Sequence, residues 1–246
     1  MAKSFYGIIG WPLLHTFSPG YFNEKFAALG LDAAYLKFPL EDINTFPRLL
    51  QANPELRGLN VTIPHKTSVM PYLDAFSDDA RAMGAVNCID IRDGKLTGHN
   101  TDWYGFLRSL QPLLKPHHKQ ALVLGTGGAS KAIAYALRQQ GIGYRFVSRG
   151  GDAYALKYAE LTAAHMEQFT LIINTTPLGM IPNEEKSPDI PYQLLSSRHL
   201  LFDIVYTASG YTPFLSRGKE KGAIIKDGLE MLHLQAEKSW EIWNAS

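Results

Sequence analysis

A lysine and an aspartate in the first half of this sequence have the side chains of a proton-transfer pair. Lys66 lies shortly after the apolar segment LNVTI, and Asp102 ends the polar run HNTD. A lysine whose pKa is tuned by its surroundings can give a proton to a substrate hydroxyl or take one from it, and a carboxylate can hold the ammonium group in place. If the fold brings the two residues together, they predict acid–base chemistry on a hydroxylated substrate.

The polar residues of this region also have ordinary structural interpretations. Lys66 could be a solvated lysine in the first turn of a helix, which is the common fate of a lysine. Asp102 precedes WYGFLRSL and could be a helix N-cap, as could Ser18 before a proline. Asn87, inside the apolar run GAVNCI, could satisfy a neighbouring backbone group. Residue types alone leave both interpretations open.

Strand-like and helix-like segments alternate along the first block of the chain. FYGIIG, AYLKF and LNVTI predict strands, a helix begins at Ser18, and INTFPRLLQAN and LDAFSDDARAMGA predict helical segments. This alternation is typical of βαβ units with a mostly parallel sheet. Strands of such a sheet present ligand-binding residues at their carboxyl ends, so we expect Thr62 and Lys66 to lie at a crevice there.

The first block is predicted to end in an antiparallel hairpin. Two alternating runs at 86–99 flank the turn dipeptide Asp93-Gly94, and the segment LLKPHHKQ then precedes a new strand, ALVLG. YRFVSR, LIINTTPLGM, LLFDIVY and GAIIKDG predict further strands of a second block. A last helix is predicted over 229–243, with an apolar face that could cover the first block. That face consists of Leu229, Leu232, Ala236, Trp240 and Trp243.

The glycine-rich segment GTGGAS follows the first strand of the second block and has the pattern of a dinucleotide-binding turn. Gly125 suits the tight turn, Gly127 allows backbone to approach a pyrophosphate, and a helix starting near Gly128 would direct free N–H groups at the phosphates. The third position of the fingerprint is Ser130 rather than glycine or alanine, which a close helix–strand contact could tolerate.

The next strand ends about 20 residues later, where a ribose-binding residue is expected. It ends in Ser148 and Arg149. An acidic residue there would accept from the 2′-hydroxyl of NAD, whereas a guanidinium can hold a 2′-phosphate, so Arg149 favours NADP. A solvated arginine at a strand end is the alternative, and Asp152 stands close enough in sequence to oppose a phosphate.

Composition and charge exclude several classes of protein. The 246 residues are 46% hydrophobic and 19% charged, with a net charge of +1, so there is no electrostatic signature of a nucleic-acid or membrane partner, and a small-molecule ligand fits better. We expect neither a secretory signal nor a membrane span. The single cysteine, Cys88, excludes a disulfide framework and favours a reducing, cytoplasmic location. The eight histidines lack metal-site spacing, so no metal is expected.

Seven motifs, in order, resemble those of the shikimate dehydrogenase family over essentially the full chain. They are GIIGWPLLHTFSP, GLNVTIPHK, GAVN, NTDWYGF, GTGGAS, INTTPLGM and DGLEMLHLQA. The resemblance implies an α/β fold of two domains. An N-terminal αβ substrate domain with a mostly parallel sheet would span 1–102 and be completed by the C-terminal helix 228–246. A Rossmann-type NADP-binding domain would span 103–227.

The same resemblance implies the reversible reduction of 3-dehydroshikimate to shikimate by NADPH in aromatic amino-acid biosynthesis, by a monomer or a homodimer. Lys66 matches the catalytic lysine of the family, and Asp102 matches its aspartate partner. The positions implied for substrate binding are Thr16, Ser18, Thr62, Asn87, Thr101, Tyr206 and Gln235. Those implied for the cofactor NADP are Gly125, Thr126, Gly127, Gly128, Ala129, Ser148, Arg149, Thr175 and Gly228.

Two departures from the family pattern bear on function. Thr16 replaces the first serine of a serine pair, keeping the hydroxyl but adding a methyl group. The segment SRGGDAY keeps Arg149 but lacks the second basic residue common after it, and the sequence does not place Lys157, farther along. Two rivals therefore stand beside the NADP enzyme: a quinate/shikimate dehydrogenase that uses NAD, and a non-catalytic ligand sensor of the same fold.

Overall fold

Two six-stranded sheets organise the part of the chain that the computed structural model describes, which is residues 3–13, 16–150, 154–207 and 210–245. Each sheet belongs to its own unit. The first unit is Met1–Thr101 with Ala236–Ser246, and the second is Asp102–Gln235. Within these described ranges, no helix is both long and apolar enough to cross a lipid bilayer.

The sheet of the first unit is mixed. Its strands are β1 (Ser4–Gly10), β2 (Ala33–Pro39), β3 (Leu56–Val61), β4 (Ala75–Phe76), β5 (Cys88–Arg92) and β6 (Lys95–His99). The spatial order is β2-β1-β3-β5-β6-β4, and β5 alone among these strands runs antiparallel to its neighbours. The helices of this unit's N-terminal segment are α1 (Ser18–Ala28), α2 (Phe46–Ala52) and α3 (Asp78–Met83).

The predicted hairpin is confirmed, whereas one predicted helix is partly wrong. Asp93 and Gly94 both have positive φ, of 49° and 75°, as a two-residue turn between β5 and β6 requires. The segment LDAFSDDARAMGA is helical only in α3, and Ala75 and Phe76 instead form β4 beside β6. Ser77 accounts for the late start of α3, because its side chain accepts from the backbone N–H of Ala80 and caps the helix there.

The sheet of the second unit is entirely parallel. Its strands are β7 (Gln120–Leu124), β8 (Gly143–Ser148), β9 (Ala155–Lys157), β10 (Leu171–Asn174), β11 (Leu200–Asp203) and β12 (Ile224–Lys226). Their order is β12-β11-β10-β7-β8-β9, which is the doubly wound order of dinucleotide-binding folds. The helices of this unit are α4 (Asp102–Leu110), α5 (Gly128–Gln139), α6 (Ala163–Gln168) and α7 (Pro213–Glu220). Strand β9 is absent from the sequence prediction, since its three residues carry no periodic signal.

The last helix, α8 (Leu229–Asn244), divides its apolar face between the two units. In the first unit, Ala236, Trp240 and Trp243 pack in one apolar cluster with residues of β1 and α1, which confirms that this part of the helix covers the first block. In the second unit, Met231 is buried instead of the predicted Leu229, which is 42% exposed. The helix was predicted at 229–243, one residue shorter than it is.

Candidate active site

Strand directions bring the polar residues of the first unit to one edge of its sheet. β1, β3 and β6 run parallel and their carboxyl ends share that edge, while the antiparallel β5 begins there. Thr16 and Ser18 follow β1, Thr62 and Lys66 follow β3, Asn87 precedes β5, and Thr101 follows β6. The first unit therefore collects the predicted substrate ligands of four separate segments at one place, which is the crevice position expected of such a sheet.

Asn87 and Thr101 are bonded directly to each other. The Asn87 side-chain amide donates to Thr101 Oγ1 at 3.0 Å, and its Oδ1 accepts from the Thr101 backbone N–H at 2.6 Å. Both residues are buried. The interpretation of Asn87 as a residue that only satisfies backbone is thus incomplete, because its amide also fixes the hydroxyl of another predicted ligand.

A buried polar network, which was not predicted from the sequence, lies behind this pair. Tyr35 Oη donates to Asn60 Oδ1 at 2.7 Å, and the Asn60 amide donates to Ser239 Oγ at 3.0 Å. Ser239 Oγ lies 3.3 Å from Thr101 Oγ1. Burial raises the pKa of Tyr35 well above its ordinary value, and the side-chain hydrogen bond with Ser18 opposes that rise. The signal in the sequence was Asn60 itself, a polar residue within an apolar strand.

Ser18 is not the helix cap that its position suggested. Helix α1 begins at Ser18, its N-cap is Phe17, and no side chain caps it. Ser18 is buried, and its side chain acts against the rise in the pKa of Tyr35. The cap interpretation was wrong because the preceding residue already has helical backbone angles.

Thr16 and Thr62 follow β1 and β3, respectively, along the chain. Thr16 Oγ1 is buried and has no hydrogen-bond partner among the residues that the structure describes. A buried hydroxyl without a partner costs free energy, so this atom is suited to a ligand. The Thr62 backbone N–H donates to Ile9 O at 2.9 Å, and a side chain at Gly10 would collide with the Thr62 methyl group. Gly10 therefore makes room for Thr62.

Lys66 is half-buried, and its backbone is tied to the segment that carries Asn87. The Lys66 carbonyl accepts from the Val86 N–H at 2.7 Å. The neighbouring His65, to which the sequence analysis assigned no role, is buried and structural. Its Nε2 donates to Leu40 O at 2.6 Å, and its Nδ1 lies 3.3 Å from Ser68 Oγ. His65 thus anchors the loop that presents Lys66.

Three further predicted residues, Asp102, Gln235 and Tyr206, belong to the second unit. Asp102 is buried and is the first residue of α4, so it lies inside the helix and not at the N-cap position. Gln235, on α8, is buried and donates from Nε2 to Leu232 O at 2.9 Å. Tyr206, in the loop after β11, is 38% exposed, and partial burial raises the pKa of its phenol.

Helices α4 and α8 approach closely at Gly105. A Cβ at this position would lie 2.5 Å from Met231 O and 3.0 Å from the Gln235 backbone nitrogen. Only glycine permits that approach without a shift of backbone. The close contact fixes the turn of α8 that carries Gln235 against the helix that begins with Asp102.

The predicted dinucleotide turn has the backbone that its glycines suggested. Gly125 has a φ of +107°, and a Cβ there would lie 2.9 Å from Thr175 Oγ1. Thr175 in turn donates from Oγ1 to Leu124 O at 2.7 Å, which holds the loop after β10 against the turn. A Cβ at Gly127 would meet no atom of the described residues within 4 Å, so open space faces this residue.

Helix α5 begins directly at this turn and is free to receive an anion. Its N-cap is Gly127, and no side chain caps it. Thr126 is exposed, while Gly128 and Ala129 are partly exposed in the first turn. Ser130 is 1% exposed and donates from Oγ to Gly127 O at 2.6 Å, so the serine at the third fingerprint position is accommodated. Uncapped N–H groups beside a glycine cradle fit a dinucleotide pyrophosphate.

The remaining predicted cofactor residues surround the same carboxyl edge. Ser148 ends β8 and is partly buried, Arg149 follows it and is exposed, and Asp152 lies outside the described residues. Gly228 precedes α8, where a Cβ would lie 2.2 Å from Ile204 O. Gly228 thus has a packing role that its sequence position did not reveal.

Asp203 is a buried carboxyl at this edge that the sequence analysis missed. It ends β11, and its oxygens accept from Asn174 Nδ2 at 2.9 Å, Val205 N at 3.0 Å and Thr212 Oγ1 at 2.6 Å. Burial raises the pKa of Asp203 to about 7 against the opposing effect of these hydrogen bonds. Through these hydrogen bonds, Asp203 connects the end of β10, before Thr175, to the segment after β11 that carries Tyr206. Its signal was an acidic residue directly after the apolar run LLF.

The fold and the glycine turn define the class, a two-unit α/β protein with a dinucleotide-binding sheet. Comparison with known proteins then gives the family. The family model of the shikimate dehydrogenase substrate-binding domain matches residues 8–89. A shikimate dehydrogenase (NADP(+)) of Aquifex aeolicus is 36% identical over 250 residues, covering 97% of this chain and 90% of that protein. The chain belongs to the shikimate dehydrogenase family.

Two solved structures have the same fold over nearly the whole chain. Shikimate 5-dehydrogenase from Thermus thermophilus, in complex with NADP(H) and shikimate, has a TM-score of 0.85 and 29% identity, and covers 98% of this chain and 94% of that one. The enzyme from Listeria monocytogenes, in complex with shikimate and NAD, has a TM-score of 0.85 and 30% identity, and covers 98% and 91%. The predicted α/β fold of two parts is confirmed.

Proposed function

We propose that this protein is a shikimate dehydrogenase, which catalyses the reversible reduction of 3-dehydroshikimate to shikimate with NADPH in aromatic amino-acid biosynthesis. The observation that carries the proposal is the set of hydroxyl and amide side chains beside Lys66 at one edge of the first sheet. A second unit with an uncapped glycine turn accompanies it. Membership of the family supports the same conclusion.

The first unit is the proposed substrate-binding unit. Shikimate carries a carboxylate and several hydroxyls, and such a ligand requires donors and acceptors in fixed positions. Thr16 offers a buried hydroxyl, and the Asn87–Thr101 pair offers a preorganised amide and hydroxyl. Site groups built for hydroxyls are left unpaired by analogues that lack them, which penalises those analogues. We propose Ser18, Thr62, Tyr206 and Gln235 as the further ligands.

Lys66 is the proposed proton donor for the substrate oxygen. NADPH, when bound at the glycine turn, supplies the hydride that reduces the carbonyl carbon. Lys66 then delivers a proton from its ammonium group to the oxygen at C3, and takes it back when shikimate is oxidised. Asp102 is the proposed carboxylate that orients the lysine and the substrate. The position of Lys66 at the edge that also carries Asn87 and Thr101 supports this role, because a general acid must lie within hydrogen-bond reach of the oxygen that it protonates.

NADP is the proposed cofactor, with Gly125, Thr126, Gly127, Gly128 and Ala129 at the pyrophosphate. Ser148 and Arg149 would stand at the ribose and its 2′-phosphate, with Thr175 and Gly228 in the surrounding loops. One basic side chain directly after β8 also makes NAD a second candidate. We further propose a cytoplasmic location, in keeping with the single buried cysteine, and a monomer or homodimer as the working form.

The test is a steady-state absorbance assay of the reduced nicotinamide. Four pairings are compared: shikimate with NADP, shikimate with NAD, quinate with NADP and quinate with NAD. The proposal predicts the highest kcat/KM for shikimate with NADP. A preference for NAD with quinate would favour the quinate/shikimate rival, and shikimate binding without turnover in any pairing would favour a ligand sensor.

A further inference from the structure

Strand β9 places a second basic residue beside the end of β8. The two strands are parallel, and Ser148 pairs with Lys157 in their register. Ser148 and Lys157 are also the last residues of their strands, so both lie at the carboxyl edge of the sheet. Neighbouring strands are roughly 4.8 Å apart. The exposed side chains of Arg149 and Lys157 therefore start from adjacent points of this edge.

A short connection produces this placement. Six residues, 149–154, separate β8 from β9, although parallel neighbours are usually joined by a dozen or more. The lysine on β9 consequently follows Arg149 closely in sequence as well as in space. A basic residue supplied by the adjacent strand can replace the second basic residue that the family pattern has after the arginine segment.

The order of the strands places Arg149 and Lys157 at the edge where the adenosine end of a bound dinucleotide is expected. β7 leads into the glycine turn, β8 ends at the ribose position, and β9 is the next strand outward. A group attached to the 2′-oxygen of a ribose bound there would lie near the end of β8, and β9 is the strand next to that end. No other described strand pairs with β8 on that side.

Arg149 and Lys157 are the basic groups at this position, and Asp189 and Glu160 are acidic groups near it. Burial raises the pKa of Tyr158, next to Lys157, to about 12; the charge of Arg149 opposes that rise, and the charge of Asp189 adds to it. Within the described ranges, neither Arg149 nor Lys157 is held in an ion pair. Glu160, an acidic residue of the turn after β9, accepts from the Lys157 backbone N–H at 2.7 Å.

We propose that Lys157 is a specificity-determining residue that binds the 2′-phosphate of NADP together with Arg149. The arginine offers a planar fork of donors, and the lysine offers a point charge on a flexible stem. Their charge-assisted bonds need the phosphate and are lost with a free 2′-hydroxyl. The inference rests on the proposed function for the identity of the cofactor, and it assigns the second cation that the sequence did not place.

The test measures binding of two nucleotides by calorimetry with the full chain. The probes are 2′,5′-ADP, which carries the 2′-phosphate, and 5′-ADP, which does not. The variants are Lys157→Gln, Lys157→Arg and Arg149→Gln. The matched control is Lys221→Gln, an exposed lysine that precedes β12 at the opposite edge of the same sheet. Circular dichroism of each variant checks that the fold is intact.

Lys157→Gln is expected to raise the Kd for 2′,5′-ADP about 10-fold and to leave the Kd for 5′-ADP unchanged. Lys157→Arg should keep most of the affinity, and the control should match the wild type. An unchanged Kd for 2′,5′-ADP in Lys157→Gln would overturn the inference. Equal affinity of the wild type for 2′,5′-ADP and 5′-ADP would also overturn the inference. In that case, dehydrogenase activity with NAD would still support the proposed reaction. If the wild type does not turn over shikimate with NADP or with NAD, the proposed function itself is contradicted.

Discussion

Lys66 shows how far a single residue could be interpreted from the sequence. The pattern placed it after a strand, and the structure puts it at a shared edge with Asn87 and Thr101. Its neighbour His65 could not be assigned, because its partner Leu40 is distant in sequence and only the fold brings them together. The same holds for Asn60, whose bonds reach Tyr35 and Ser239 of α8. Long-range polar partners are a property of the folded chain.

Removing the Lys66 amine should slow the reaction without destroying the substrate site. For Lys66→Met we expect kcat to fall by roughly 10² to 10⁴, as is usual for loss of a general acid, because the substrate oxygen loses its proton source. Shikimate affinity should change far less, since the hydroxyls and amides remain. Steady-state kinetics and direct shikimate binding measure the two effects separately. Near wild-type turnover in this variant would exclude Lys66 as the acid.

Asp203 should make stability fall as pH rises. Its folded-state pKa is about 7, against an ordinary value of 3.8. Between these values the folded state binds more protons than the unfolded state, so the free energy of unfolding decreases with increasing pH, by at most about 1.4 kcal/mol per pH unit. At pH values below 3.8, the contribution of Asp203 to stability is fully present.

Asp203→Asn provides the comparison, because the carboxamide keeps an acceptor for Val205 N and cannot ionise. Urea denaturation across this pH range should show a shallower decline for the variant than for the wild type. Parallel declines would mean that Asp203 does not carry the pH dependence.

At the scale of elements, periodicity and turn chemistry located most strands and helices. The hairpin at Asp93-Gly94, the glycine turn and α8 followed from local signals. Helices α6 and α7 were not predicted, and the two missed strands have a physical reason. β4 and β9 have two and three residues, too few for a period, and both form by pairing with a neighbouring strand. Close packing of α4 on α8 at Gly105 is equally invisible to a local pattern.

Gly127 and Gly20 allow cofactor binding to be separated from folding. Both would accept a Cβ without meeting any described atom within 4 Å. Gly127→Ala should therefore keep the thermal midpoint of the wild type, yet raise the Kd for NADP at least about 10-fold, because the methyl group occupies space that a pyrophosphate needs. Gly20→Ala, in α1, is the control and should leave the Kd unchanged. Equal NADP affinity in both variants would refute the assignment of the turn.

Gly105→Ala tests the contact between the two helices. The added methyl group would lie 2.5 Å from the Met231 carbonyl, and both groups are held by helical backbone. Overpacking of this kind should lower the free energy of unfolding by about 1–3 kcal/mol. Because the shift displaces the turn that carries Gln235, we also expect a higher KM for shikimate. Chemical denaturation and kinetics measure these effects, and wild-type stability would show that the helices can separate at no cost.

At the scale of the whole molecule, the order of seven motifs indicates the family from the sequence alone, and the relatives confirm it. The motifs could not give the extent of each unit. The motifs predicted a first domain of residues 1–102 completed by 228–246, whereas the folded chain assigns Asp102 to the second unit, together with α8 as far as Gln235. Which part of a helix packs on which sheet depends on tertiary contacts that no motif encodes.

The central claim is that this protein interconverts 3-dehydroshikimate and shikimate with NADPH. The most direct test incubates the purified full chain with 3-dehydroshikimate and NADPH, follows NADPH by absorbance and identifies the product by chromatography. We predict that shikimate forms in a one-to-one ratio with the NADPH consumed, and that Lys66→Met suppresses both signals together. If NADPH stays reduced and no shikimate forms in the wild type, the proposed function is contradicted.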